Sequence, residues 1–173
     1  MKKTLVIGLI IVVVSVLIDQ ISKICMLTLL VKEHNFIEII PNFFSLKLQY
    51  NPNIAFSIDM SFEFQMLFTI AATTVFAVMA LSSDFKTKKF YSWGIFLMIG
   101  GMIGNFFDRI FNQFVYGGER GVIDFLSFTF FGNPFATFNI ADSCLVIGVI
   151  CVFIDLLFLE DKRNKQLENT ITD

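Results

Sequence analysis

Long apolar runs alternate with short polar segments along this chain, and the runs set its architecture. Thr4 to about Ile24, Phe62 to Leu81, Phe90 to Phe107 and Phe138 to Leu159 are each almost unbroken in hydrophobic residues. Each is near the roughly 20 residues that a helix needs to cross about 30 Å of hydrocarbon, so the pattern predicts four membrane-spanning helices. The segments between them are of other kinds. In NFIEIIPNFFSLKLQYNPNIAFSI the parts FFSLKLQY and IAFSI place β-branched and aromatic residues at near-alternate positions, which predicts short strands. Pro41–Asn42 and Asn51–Pro52–Asn53 supply the turn chemistry between them. Residues 113–137 contain Gly117, Gly118, Gly121, Gly132 and Pro134, too broken for a long helix; an amphipathic or re-entrant outer loop is expected there. The tail from Glu160 is polar throughout, and disorder is expected from about 162.

Composition supports a mainly α, polytopic membrane protein forming a single domain over residues 1–173. Hydrophobic residues make up 55% of the chain and its mean hydropathy is +0.73, too apolar for a soluble domain of this size. A net charge of -2 gives no surface for nucleic acid. Eight of the 13 basic residues (Lys2, Lys3, Lys86, Lys88, Lys89, Lys162, Arg163 and Lys165) flank the same side of the four spans. Basic flanks stay in the cytoplasm, which predicts that both termini are cytoplasmic. A cleaved leader would need a small-residue site after Ile18; Asp19, Gln20 and Lys23 stand there instead, so the first span is expected to be retained. Cys25, Cys144 and Cys151 lack CxxC spacing and His34 is the single histidine, which argues against disulfides, a zinc site or a Ser/His/Asp triad. No metal and no cofactor is expected.

Ionisable residues inside spans are costly and by default mark function. At 1.5 Å per residue, Asp19 lies about 22 Å above Thr4, and Asn105 about 22 Å above Phe90. Lys23 follows Asp19, and Arg109 follows Asn105, by one turn on the same face. The fourth span descends, so Asn139 and Asp142 share a face in its first turns. Three helices thus put polar groups at one outer level. Gly100 and Gly104, with Gly101 beside them, form a small-xxx-small pattern that predicts close helix packing. Asp124, flanked by apolar residues in GVIDFL, reads either as a turn aspartate or as a carboxylate held near the membrane interface. Two carboxylates brought together at low dielectric share a proton, and such a pair can activate water against a carbonyl. From residue types alone, an ion or proton relay in a transporter remains open, as does an inactive protein that only binds lipidated helices.

The blocks DQISK (19–23), NPNIAFS (51–57), GGMIGNFFDR (100–109), GVIDF (121–125) and FNIADS (138–143) resemble, in order, those of the lipoprotein signal peptidase family, signal peptidase II. That resemblance implies a multi-pass aspartyl endopeptidase of the bacterial inner membrane with four transmembrane helices, an extracytoplasmic β-cradle and its active site near the outer face; a monomer is expected. Its partners would be membrane lipids and the signal peptides of diacylated prolipoproteins, cut on the amino side of the lipidated cysteine. The family's catalytic aspartates map onto Asp124 and Asp142. Asn51, Asn105, Arg109 and Asn139 match substrate-binding or orienting positions, and Asp19 with Lys23 matches a supporting first-helix pair. Asp108 matches an aspartate expected to be structural. The family's N-x-G-x-A-F block departs here at Asn53, which replaces glycine.

Overall fold

A computed structural model describes residues 2–52, 61–116 and 121–165. Four long helices and a four-stranded antiparallel sheet make up these residues. Helix α1 (Lys2–Lys32) buries Gly8, Ile11, Val12, Ser15, Asp19 and Lys23, one stripe at helical spacing. Its remaining surface exposes Leu5, Val6, Leu9, Ile10, Val13, Leu17 and Ile18. That is untenable in water and suits a lipid-facing helix. Helix α2 (Phe62–Ala80) faces outward even more fully, burying Gln65 and Ala80. Helix α3 (Lys89–Tyr116) is the centre of the bundle, packing on all three other helices and most extensively on α4. Helix α4 (Ile140–Ile154) runs through a π-helical turn at Asp155–Leu159, and the helical segment reaches Lys165. It passes the point near 162 where the sequence suggested disorder; residues 166–173 lie outside the described residues. All four helices are long and apolar enough to cross a membrane.

Small residues let α3 approach its neighbours. A Cβ on Gly100 would lie 2.8 Å from Ser15 Cβ of α1, and one on Gly104 would lie 2.7 Å from Asp19 Oδ2. On another side of α3, a Cβ on Gly101 would meet the Ala141 carbonyl oxygen of α4 at 2.4 Å. The close packing expected from Gly100, Gly101 and Gly104 is therefore present, divided between two partner helices. Away from this glycine face, Ile11, Val12, Tyr91, Ile95, Phe96, Ile99 and Met102 form a continuous apolar core.

Strands β1 (Phe36–Ile40), β2 (Phe44–Asn51), β3 (Val122–Phe130) and β4 (Asn133–Phe138) form the sheet in the order β1-β2-β3-β4. Strand β2 matches the expected FFSLKLQY strand, whereas the expected IAFSI strand lies outside the described residues. Asn42, at φ 57°, makes the β1–β2 turn, as the Pro41–Asn42 pair predicts. Residues 113–137 depart from expectation. Helix α3 continues to Tyr116, and VIDFLSFTF with NPFATF forms a β-hairpin rather than an amphipathic or re-entrant segment. In β3, Val122, Asp124, Phe125 and Ser127 are buried; the adjacent pair Asp124–Phe125 is buried on both faces of the strand, where its pairing with β2 shifts register between Leu46 and Gln49. Pro134 is tolerated because β4 is an edge strand. Pairing of β2 with β3, with Gln49 opposite Asp124 and Asn51 opposite Val122, joins the two segments between spans into one layer. Gly121, at φ 119°, admits the Asn51 carbonyl where a Cβ would sit at 2.2 Å.

Candidate active site

The sheet meets the helical bundle at a buried polar network, and the start of α4 is its fixed point. Asn139 caps that helix: its side-chain oxygen accepts from the Asp142 backbone N–H at 2.9 Å, and the Asp142 carboxylate accepts from the Asn139 backbone N–H at 3.2 Å. This reciprocal capping box explains why the helix begins at FNIADS and locks Asp142 in its first turn. The Asn139 amide then donates to Asp124 Oδ1 at 2.8 Å and to Asn105 Oδ1 at 3.0 Å. Asp124 Oδ2 accepts from Asn51 at 3.1 Å, and Asp142 Oδ1 accepts from Asn105 at 2.7 Å. The two aspartates, 18 positions apart in sequence, are thus held by one asparagine.

Beneath them lies an ion cluster. Lys23 Nζ donates to Asp19 Oδ2 at 2.7 Å and to Asn105 Oδ1 at 3.1 Å, and it pairs with Asp108 Oδ2 at 2.9 Å. Three acceptors match the three protons of an ammonium, which is how a lysine that is 1% exposed is tolerated. Asp19 Oδ1 also accepts from the Ala141 backbone N–H of α4 at 2.8 Å. Asp108 accepts from the Ile123 backbone N–H at 3.2 Å, fixing the residue before Asp124. Arg109 donates from Nε to Gln65 at 3.1 Å and from a terminal nitrogen to the Asn105 carbonyl at 3.3 Å.

Among the described residues, Asp19, Asp108, Asp124 and Asp142 are four carboxylates against two cations, Lys23 and Arg109. Ionising all four leaves an excess of two negative charges in a buried site, which a proton on one carboxyl halves. Asp124 is pushed up to about 7, by burial first and then by the charge of Asp142, against the lowering donors Asn51 and Asn139. A cavity of about 230 Å³, lined by Lys23, Tyr50, Asp108, Phe111 and Ile123, lies against the network but does not include either aspartate of the pair.

All eight residues singled out from the sequence, Asp19, Lys23, Asn51, Asn105, Arg109, Asp124, Asn139 and Asp142, enter this connected network. Two members were missed. Gln20 donates to Asp108 at 2.8 Å and to Asp19 at 3.1 Å, and Gln65 bridges Arg109 and the Pro52 carbonyl. The signal was there: Gln65 is a lone amide in the apolar run FEFQMLF.

A sequence model of the family described as Signal peptidase (SPase) II matches residues 11–158. The chain belongs to the signal peptidase II family. Lipoprotein signal peptidases of Staphylococcus haemolyticus and Staphylococcus aureus are 33% and 36% identical to it, over 95% and 92% of this chain and 98% and 91% of theirs. The Enterococcus faecalis lipoprotein signal peptidase is 36% identical over 76% of each chain. Two solved structures described as a bacterial membrane enzyme, obtained by the in meso method, superpose with TM-scores of 0.70 and 0.69 at 30% and 31% identity. They cover 91% and 88% of this chain and 90% and 93% of their own. Membership makes this a multi-pass membrane peptidase of the signal peptidase II type, whose family reaction removes signal peptides from prolipoproteins.

Proposed function

We propose that the protein is an intramembrane aspartyl endopeptidase. It cleaves signal peptides from diacylglyceryl-modified prolipoproteins on the amino side of the lipidated cysteine. The observation that carries the reading is the Asp124–Asn139–Asp142 linkage, with the Asp124 carboxyl raised to about 7. Asp142 takes a proton from a water whose oxygen attacks the scissile carbonyl carbon. Asp124 supplies its proton to the carbonyl oxygen, so the tetrahedral adduct forms without a naked oxyanion. Collapse breaks the C–N bond; the leaving amine takes the proton held by Asp142, and the adduct returns one to Asp124. Arg109 offsets the negative charge of the pair, while Asn51, Asn105 and Asn139 hold the carboxylates in register.

The basic flanks support placing both termini in the cytoplasm and the site near the outer face, and the family match with four membrane-capable helices supports placing the enzyme in the bacterial cytoplasmic membrane. Membrane lipids and diacylated precursors are its partners. Cleavage of a diacylated precursor peptide by the reconstituted full chain tests the reading. Asp124→Asn and Asp142→Asn are each expected to lower kcat on the order of 10³-fold or more without changing the elution of the folded protein. Wild-type turnover by folded Asp142→Asn would refute the carboxylate pair.

A further inference from the structure

Gln65 occupies the first turns of α2, at the end nearest the network, and is buried at 6% exposure on a helix that otherwise presents its surface to lipid. Both ends of its amide are engaged. Oε1 accepts from Arg109 Nε at 3.1 Å, and Nε2 donates to the Pro52 carbonyl at 3.0 Å. Pro52 follows Asn51, the donor to Asp124 Oδ2. One side chain therefore connects α2, the cation of α3 and the end of β2 that touches the proposed acid.

We infer that Gln65 is a positioning residue, which orients the Arg109 guanidinium toward the carboxylate pair and holds the Asn51–Pro52 end of β2 in place. The inference rests on the aspartyl reading above. An arginine side chain has four rotatable bonds, and holding its Nε fixes the plane of the guanidinium. A burial cost alone does not account for an amide here, since an apolar side chain would satisfy lipid and core alike. What an apolar side chain lacks is the acceptor for Nε and the donor for the Pro52 carbonyl.

Three purified full-length variants, Gln65→Leu, Gln65→Glu and Asp142→Asn, reconstituted and assayed on a diacylated precursor peptide, test this. Rates are expressed per folded enzyme by size exclusion. Gln65→Leu is expected to lose about 10²-fold in kcat with little change in KM, as misplacement from outside the reacting centre does. Gln65→Glu keeps the acceptor for Arg109 and loses the donor to Pro52, and is expected to recover at least about a tenth of the wild-type kcat. A Gln65→Leu enzyme with wild-type kcat overturns the inference. So does a loss that vanishes once rates are normalised, or one that Gln65→Glu fails to relieve. Inactive Asp142→Asn beside fully active Gln65→Leu would defeat the role of Gln65 alone. Active Asp142→Asn would defeat the aspartyl reading and this inference with it.

Discussion

The Asn139 amide donates to Asp124 Oδ1 over 2.8 Å, while the same residue caps the helix that carries Asp142. Replacing it removes both ties. Asn139→Ala is expected to cost about 1 kcal/mol for the lost cap and on the order of 10²-fold in kcat, comparable with removing a preorganised donor. Thermal unfolding in detergent, measured beside turnover, separates the two effects. A variant with lowered stability and intact kcat would reduce Asn139 to a cap.

A pH dependence follows from the raised Asp124 carboxyl. Its ordinary value is near 4, and in the folded protein it stands at about 7. Between those values the folded state holds a proton that the unfolded chain has released, so this group's contribution to stability falls as pH rises from about 4 to about 7. The proposed chemistry uses that proton, and kcat should fall as pH rises through about 7. Asn51 lowers the value through its hydrogen bond. Asn51→Leu should therefore move the basic limb of the pH–rate profile upward, and a limb that stays in place would argue against Asp124 as the acid.

Gly101 sits where α3 touches the first turn of α4, with the Ala141 carbonyl oxygen 2.4 Å from the position of a Cβ. The obstructing atom is backbone and has no rotamer to change. Gly101→Ala should push the Asp142 turn away, costing about 1–3 kcal/mol and lowering kcat at least about tenfold. Unchanged turnover would show that the pair tolerates a shift of α4.

Asp155 is 1% exposed and accepts from both terminal nitrogens of Arg163, at 3.3 and 3.0 Å. It lies about 20 Å along α4 from Asp142. Removing Arg163 leaves that carboxylate buried without its cation. Arg163→Ala is expected to lower stability by about 1–3 kcal/mol, since the arginine itself is partly exposed, while kcat per folded enzyme stays at the wild-type value. A selective loss of kcat would connect the two ends of the helix.

Depth made most of the network readable from sequence. Residues fixed to one helix face at known rise, such as Asp19 with Lys23 or Asn105 with Arg109, have a level that arithmetic supplies. Asp124 could not be placed that way, because a strand's position depends on its partners: β3 pairs with β2 from another segment between spans, and no local signal gives that register. Glycine content hid the β3–β4 hairpin for a related reason, since Phe131 and Gly132, at φ 52° and 79°, break the pattern at the tip of a strand pair. Gln20 and Gln65 carry no charge, and a neutral amide in a span costs less to bury than an ion, so its position signals a polar site more weakly. Cys25 is exposed on a helix whose outer surface faces lipid.

The hydrogen bond from the Ala141 backbone to Asp19 spans 122 positions and ties the earliest span to the latest. A ribosome must therefore synthesise the chain past Ala141 before this network can close. On the proposed mechanism the nascent chain is inert toward neighbouring precursors until then, and a polypeptide cut between its helices regains activity only by reassembling in the bilayer.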